Sequence, residues 1–449
     1  MPDALLTRHA KPVPRYTSYP TAPHFHAGIG DADYARWLGE VPEATELSLY
    51  VHIPFCDRLC WFCGCHTKQV LRYDPIAAYL PAVHSEMETV ARLLDGRGKV
   101  TSLHLGGGSP SMLRPEDLSE LTDRVRRHFD VVGDFEFSLE IDPNDMTPDR
   151  YDAFAAAGVN RISVGVQDFD PLVQKAINRF QSLEQTREVV ECMRQRGIQS
   201  VNLDVLYGLP HQTLTTLGST IEQVLTMQPD RIALFGYAHV PWMKKHQRLI
   251  DGDALPDASQ RLLQSTTAAA RLEAAGYVAV GIDHFARPTD PLAVATRAGR
   301  LRRNFQGYTT DQAPALIGFG ASSIGNPPQG YVQNITATGE YIRAIGERGL
   351  AVARGIAVGP EDRMRGWIIE RLMCDFAVSV DELRRRFGPG ASDVVTEMTC
   401  AAEGDLDGVI AFDGRTFAIT ETGRPYVRSV ASAFDTYLSS GAGRHSVAV

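Results

Sequence analysis

Short, mainly apolar segments recur between longer, more polar ones along the first two thirds of the chain. They read LSLYVHI at 47–53, SLHL at 102–105, FEFSLEI at 135–141, RISVGV at 161–166, VNLDVL at 201–206, RIALFGY at 231–237 and VAVGI at 278–282. β-Branched and aromatic residues dominate them, and that composition predicts strands. Helix-like stretches lie between, at 77–94, 116–129, 149–157, 183–196, 214–227 and 258–275. One join recurs as AAAGVNRISVG, MRQRGIQSVNL and LEAAGYVAVGI, in which a helix ends at Gly158, Gly197 or Gly276 and a strand follows. Glycine closes a helix in the left-handed conformation without a Cβ clash. Repeated units of this kind imply an α/β fold, a parallel sheet with helices outside. Either an open doubly wound sheet or a barrel satisfies the pattern.

Past residue 326 the rhythm changes. Helix-like stretches at 340–347, 365–374 and 380–387 precede GVIAFDGRTFAI at 408–419, a hairpin turning at Asp413-Gly414. Three parts are expected: an N-terminal arm over 1–46, a βα unit over 47–325, and a mainly helical, winged-helix-like domain over 326–449. A winged helix suggests DNA, but 45 Lys and Arg against 54 Asp and Glu leave a formal charge of −9. That balance disfavours a general nucleic-acid or anionic-membrane surface, so a lid or cap is the expected role. No apolar run approaches the ~20 residues of a membrane span. The first twenty residues hold no hydrophobic signal core. A cytoplasmic chain with no membrane or nucleic-acid partner is expected.

Cysteine usage is uneven. Four of the seven (Cys56, Cys60, Cys63 and Cys65) fall within ten residues, where an even spread would usually leave none. Cys192, Cys374 and Cys400 are solitary and are expected to be small buried hydrophobes. The cluster, C-x3-C-x2-C-x-C directly after a strand, points to metal ligation rather than disulfides in a reducing compartment. Zinc sites usually pair two separated elements, and no second element appears. A 4Fe–4S cluster normally takes four cysteines, in spacings different from this one. Were only three to bind, one iron would stay open to a substrate or cofactor.

Active sites of βα proteins gather at the C-terminal strand ends. Those ends carry Gly106-Gly107-Gly108-Ser109-Pro110, Glu140, Gln167, Asp204 and Tyr237-Ala238-His239. A glycine triplet alone fits any tight turn. Glu140 inside FSLEIDP and Asp204 inside NLDVLYGLP carry more weight, because an inward carboxylate needs a partner.

Together the cysteine motif and GGGSP resemble the radical S-adenosylmethionine superfamily. The wider set resembles the oxygen-independent coproporphyrinogen III dehydrogenases of heme biosynthesis: PRYTSYPTA, LYVHIPFC, LEIDP, GVQDF, INRFQ, NLDVLYGLP, YAHVP, DHFARP and RNFQGYTT. The resemblance spans 14–324 closely and the last hundred residues more loosely, through segments such as FDTYL. It implies an incomplete (β/α)6 barrel with a helical C-terminal domain. It also implies a 4Fe–4S cluster on Cys56, Cys60 and Cys63, with Cys65 outside the ligand set. S-adenosylmethionine on the open iron would be held by Tyr50, Gly107, Glu140 and Ile324. A second S-adenosylmethionine would meet Phe62, Gly108, Ser109, Gln167, Arg179, Asp204 and Ala238, Ser109 standing where the family usually has threonine.

The activity so implied is conversion of two propionates of coproporphyrinogen III to vinyls through 5′-deoxyadenosyl radicals, giving protoporphyrinogen IX. It requires no side-chain general acid or base. It calls for a reducing donor such as flavodoxin or ferredoxin and an unknown electron acceptor, and the chain is expected to act as a monomer. A substrate with four carboxylates needs basic contacts. Candidates are Arg15 and the run Arg297, Arg300, Arg302 and Arg303, with Phe305 and Gln306 beside it. Two alternatives stay open: a heme-binding chaperone of the same superfamily, and a plain electron-transfer iron–sulfur protein.

Overall fold

A computed structural model describes residues 2–438. We number the nine strands of its main sheet in chain order. They are β1 (Glu46–Ile53), β2 (Lys99–Gly107), β3 (Val131–Ile141), β4 (Arg161–Gln167), β5 (Ser200–Tyr207), β6 (Arg231–Gly236), β7 (Val278–Val280), β8 (His284–Ala286) and β9 (Ala315–Phe319). Across the sheet they run β9-β1-β2-β3-β4-β5-β6-β8-β7. Strands β1 to β6 are parallel neighbours, each joined to the next through helical crossovers, and β9 adds a parallel partner to β1. Beyond β6 the sheet ends in antiparallel β8 and β7. The two outer strands are not paired to each other, so the barrel is incomplete.

Period two decides which side chains face which way. Leu103, Leu105, Phe137, Leu139, Ile162, Val164, Leu203 and Val205 are all buried among the surrounding helices. Each contributes about 1.5–3 kcal/mol by leaving water. The alternate positions His104, Ser138, Glu140, Ser163, Asn202 and Asp204 form a polar lining on the other face. A slip of one residue would exchange the two sets, so the register is fixed.

Expected and observed elements agree along most of the barrel, and Gly158, Gly197 and Gly276 have φ of +92°, +90° and +88°. Two strands were not foreseen. The expected strand over 278–282 stops at Val280, turns at Gly281 and returns as β8, three residues being too few to show a period. Strand β9, ALIGF, is apolar almost throughout because residues on both its faces are buried. Of the solitary cysteines only Cys374 is buried; Cys192 is half-buried and Cys400 is exposed.

The apolar core around the sheet runs past residue 325, through Val332, Tyr341, Ile345 and Val352. A second core gathers Ile368, Leu372, Leu383, Val394, Phe417 and Phe434. It lies among helices Pro360–Asp375, Val380–Phe387 and Ala391–Glu403 and the antiparallel strands Ala377–Ser379, Ile410–Phe412 and Thr416–Ile419. The Asp413-Gly414 turn forms as expected, the Asp413 carboxylate accepting from the N–H groups of Arg415 and Thr416 at 2.8 and 2.7 Å. Helix Ala391–Glu403 was not foreseen.

The first twenty residues of the N-terminal arm belong to this second core, whereas Tyr34, Trp37, Leu38 and Val41 join the first. Leu6, Tyr16 and Tyr19 pack into it, and the buried Tyr16 hydroxyl donates to Asp435 at 3.0 Å. Tyr16→Phe strands that carboxylate contact and should cost about 1–3 kcal/mol. A urea midpoint indistinguishable from the parent's would show that the arm is not docked as described.

Candidate active site

On the polar face, Tyr50, His104 and Ser138 share one level of neighbouring strands, and Glu140, Ser163 and Asn202 share the next. His52 Nε2 donates to the His66 carbonyl at 2.8 Å, which leaves Nδ1 to accept the Tyr50 hydroxyl at 2.8 Å. Burial pushes the His52 imidazole down, in keeping with this neutral tautomer. The Tyr50 ring stacks on His104 at 5.7 Å. His104 lies 2.6 Å from the Ser138 hydroxyl through Nδ1 and donates from Nε2 to Glu140 at 3.3 Å. The other Glu140 oxygen accepts the Gly107 N–H at 3.0 Å. Burial raises the Glu140 carboxyl, but His104 and the Gly107 N–H outweigh it and hold it below its ordinary range. It is a carboxylate whose side chain is 39% accessible.

The glycine triplet is set by close approach. A Cβ on Gly107, at φ +107°, would fall 2.3 Å from the His52 ring, and one on Gly108 would fall 2.5 Å from the Phe55 carbonyl oxygen. Gly108 and Ser109 donate to the Ile53 and Phe55 carbonyls at 2.8 and 2.7 Å. The triplet thereby lies against the strand that leads into the cysteines.

Several separate segments shape the cysteine loop. Arg179 Nη1 points at Cys60 Sγ from 3.7 Å, the Cys65 N–H donates to Cys63 Sγ at 3.3 Å, and the Thr67 hydroxyl lies 3.0 Å from Cys56 Sγ. The Cys65 thiol hydrogen bond brings Cys63 down to about 7 against its burial, whereas burial pushes Cys56 and Cys60 up. These donors suit thiolate ligands. Among the described residues no three His, Cys, Asp or Glu converge tightly enough for a single metal ion. Cys56, Cys60 and Cys63 lie on one loop, each beside a donor, and that donor chemistry fits thiolates holding an iron–sulfur cluster.

Outside the expected set, the loop is also held by a clasp. Lys244 Nζ donates to the Cys65 carbonyl at 2.9 Å, His246 Nε2 to the Cys63 carbonyl at 2.8 Å and Gln247 Nε2 to the Phe62 carbonyl at 2.9 Å. Gln247 also donates to Ala238 at 3.2 Å, joining two expected residues through one buried amide. Polar residues in MKKHQ were the only signal in the sequence.

A model of the radical S-adenosylmethionine superfamily matches residues 50–224. An oxygen-independent coproporphyrinogen III oxidase from Bradyrhizobium diazoefficiens is 49% identical over 447 residues, covering 100% of this chain and 99% of the relative. One from Escherichia coli is 39% identical over 438 residues, covering 97% and 95%. The solved coproporphyrinogen III oxidase from Escherichia coli superposes with a TM-score of 0.90 at 38% identity, covering 94% of this chain and 97% of that one. The chain belongs to the oxygen-independent coproporphyrinogen III oxidase family. The family's cofactors are a 4Fe–4S cluster and S-adenosylmethionine.

The remaining expected residues divide. Arg179 is almost fully buried, pairs with Asp142 at 2.9 Å and donates to the Gly165 carbonyl at 2.7 Å, linking the cysteine loop to β4. Gln167 ends β4 at φ +66°, and Asp204 accepts from Ser163 and Asn202 at 2.9 and 2.7 Å. Burial raises the Asp204 carboxyl. Ser109 is buried, and its hydroxyl donates to Asp145 beside Ser111 instead of facing the interior. Ile324 begins the pairing with Gln333, its carbonyl packed against Gly318.

A cavity of about 640 Å³ opens beside Tyr237, Ala238 and His239. Arg15 and Arg303 line it. Arg302, expected beside them, does not, because strand alternation turns it outward to pair with Glu370 at 2.8 Å. Phe305 packs edge-on against Tyr331, Gln306 is exposed, and neither reaches the cavity wall; Arg297 caps the Pro288 carbonyl.

Gln247→Ala should weaken retention of the cluster about tenfold, as loss of a ligand-orienting bond typically does. Iron content after gel filtration measures it, and full retention would remove Gln247 from the clasp. Burial lifts the Asp145 carboxyl to about 7. It is protonated in the fold and ionised in the unfolded chain between about pH 4 and 7, so it makes stability fall as pH rises through that window. Asp145→Asn should flatten that slope in urea midpoints taken across the window; an unchanged slope would mean Asp145 is ionised in the fold.

Proposed function

We propose that the chain oxidatively decarboxylates two propionates of coproporphyrinogen III to vinyls, giving protoporphyrinogen IX without oxygen in heme biosynthesis. The observation that carries this reading is one interior face that brings the Glu140–Gly107 pair and Asp204 together beside the three-thiol loop. When bound, the cluster and S-adenosylmethionine supply one-electron cleavage of a sulfonium and a carbon radical able to take a hydrogen atom. Each propionate loses one β-hydrogen atom, one CO2 and one electron, and the electron passes to an acceptor.

The protein's part is to bind, orient and exclude water. Glu140, fixed in place by His104 and Gly107, is placed to accept from a ligand amine, and Tyr50 and Ile324 are assigned to the same S-adenosylmethionine. A second S-adenosylmethionine is assigned to Phe62, Gly108, Gln167, Arg179, Asp204 and Ala238; support comes from Asp204 two strands away and from the Gln247 link between Phe62 and Ala238. Ser109 would contribute backbone there, its hydroxyl being taken by Asp145. The reading includes a flavodoxin- or ferredoxin-like donor and action as a cytoplasmic monomer. Among the described residues no helix is long and apolar enough to cross a membrane.

Reconstituted without oxygen, the reduced protein with S-adenosylmethionine should convert coproporphyrinogen III to protoporphyrinogen IX with loss of two CO2, read by chromatography. Cleavage of S-adenosylmethionine with the porphyrinogen untouched and an acceptor present would point instead to a heme chaperone. Cys65→Ser should keep the iron that Cys56→Ala, Cys60→Ala and Cys63→Ala each lose; equal loss would make Cys65 a ligand. Glu140→Gln should keep iron but lose affinity for S-adenosylmethionine, and an unchanged affinity would take Glu140 out of the site.

A further inference from the structure

One wall of the cavity is built from four arginines that converge from four distant segments. Arg15 lies in the N-terminal arm, Arg261 on helix Ala258–Ala274, Arg303 on strand Arg302–Asn304 and Arg428 on helix Val427–Ala431. They are close enough to repel: Arg15 feels Arg303 and Arg261, and Arg428, brought down to about 9 mainly by burial, feels Arg15 and Arg303. The carboxylate facing them is Asp283, 3.8 Å from Arg303 and also bonded to His284 at 2.7 Å. Two further acids line the cavity, Glu273 and Glu421, the latter paired with Arg424 at 2.7 Å.

Arg303 is the most enclosed of the four: its side chain is 4% exposed, its guanidinium lies 4.4 Å over the Tyr308 ring, and its Nη2 donates to the Arg15 carbonyl at 3.5 Å. Four guanidiniums gathered around one carboxylate leave positive charge in the wall for an anion. Arg15 donates to the Gly236 carbonyl at 2.7 Å and Arg428 to that of Pro14 at 3.1 Å. These bonds set the guanidiniums in place before any ligand arrives.

The wall stands at the β6–β8 end of the sheet, beside helix Ala258–Ala274, and the cavity reaches Ala238 and His239 just past the end of β6. We propose that Arg15, Arg261, Arg303 and Arg428 grip the two propionates that survive the reaction, Arg261 and Arg428 being specificity-determining residues not seen in the sequence. The proposal rests on the function given above. Carboxylates consumed at the cluster end are lost, so a grip that serves both rounds must hold carboxylates that substrate and product share. Four guanidiniums for two carboxylates let the ring turn by one pyrrole between rounds while staying held.

The test uses the reconstituted holoprotein and two air-stable probes, coproporphyrin III with four carboxylates and protoporphyrin IX with two, titrated by fluorescence. Arg261→Met should weaken both by a similar factor, about tenfold or more for loss of a charge-assisted bond. Arg261→Lys should recover part of the loss, and the tetramethyl ester of coproporphyrin should bind parent and variant alike. Iron content and circular dichroism matching the parent's establish that the variant is folded; should Arg261→Met misfold, Arg303→Gln is read in the same way. Weakening confined to coproporphyrin would place the wall at the reacting propionates and overturn the proposal, as would no weakening of either probe. A parent protein that binds both probes through Arg261 yet decarboxylates nothing would sink the function and leave the wall standing.

Discussion

A carboxylate inside a protein has to be partnered, and Glu140 is the point from which the interior of this barrel is organised. Its two oxygens take an imidazole N–H from His104 and a backbone N–H from Gly107. Those bonds require β2 and β3 in one register, leave no room for a Cβ at Gly106, where Glu140 would lie 2.8 Å away, and aim the charge into the interior. Two positions back along the same face, Glu136 pairs with Arg161 at 2.9 Å and closes the opposite end of the barrel. One strand thus carries both a neutralised floor and a charge kept for a ligand.

The cysteine loop depends on the same arrangement at one remove. It follows β1, whose Tyr50 and His52 belong to the polar lining, and the glycine triplet ending β2 bonds to its first residues. Arg179 and the clasp from 244–247 then take its sulfurs and carbonyls. A loop bonded on so many sides loses little conformational freedom when a cluster binds, which favours binding. The cavity is a joint product of β6, the β7–β8 turn, the N-terminal arm and the C-terminal domain, because the start of the arm packs into the second core.

Much of this was legible in the chain. Alternation in FEFSLEI and NLDVL gave the strands and also marked Glu140 and Asp204, since a carboxylate at a position of strand period belongs either to solvent or to a site. The cysteine spacing and the glycine triplet gave the chemistry. Less visible were Gln247, Lys244 and His246, whose bonds go to backbone carbonyls and depend on no pattern that a sequence displays. Arg302 and Arg303 look equivalent as neighbours, yet alternation sends one to Glu370 and the other over Tyr308 into the cavity.

The sequence by itself determined most of the barrel's elements, their order, the helix-closing glycines and the clustering of four cysteines, because each follows from local sterics or from short spacing along the chain. Tertiary structure decided what depends on distance between remote residues: that the sheet curls with its polar face inward, and that Ser109 spends its hydroxyl on Asp145. It also brought Arg15, Arg261, Arg303 and Arg428, up to four hundred residues apart, to one wall. Like charges converge only when burial of apolar surface elsewhere holds them there, and that balance is a property of the whole packed core.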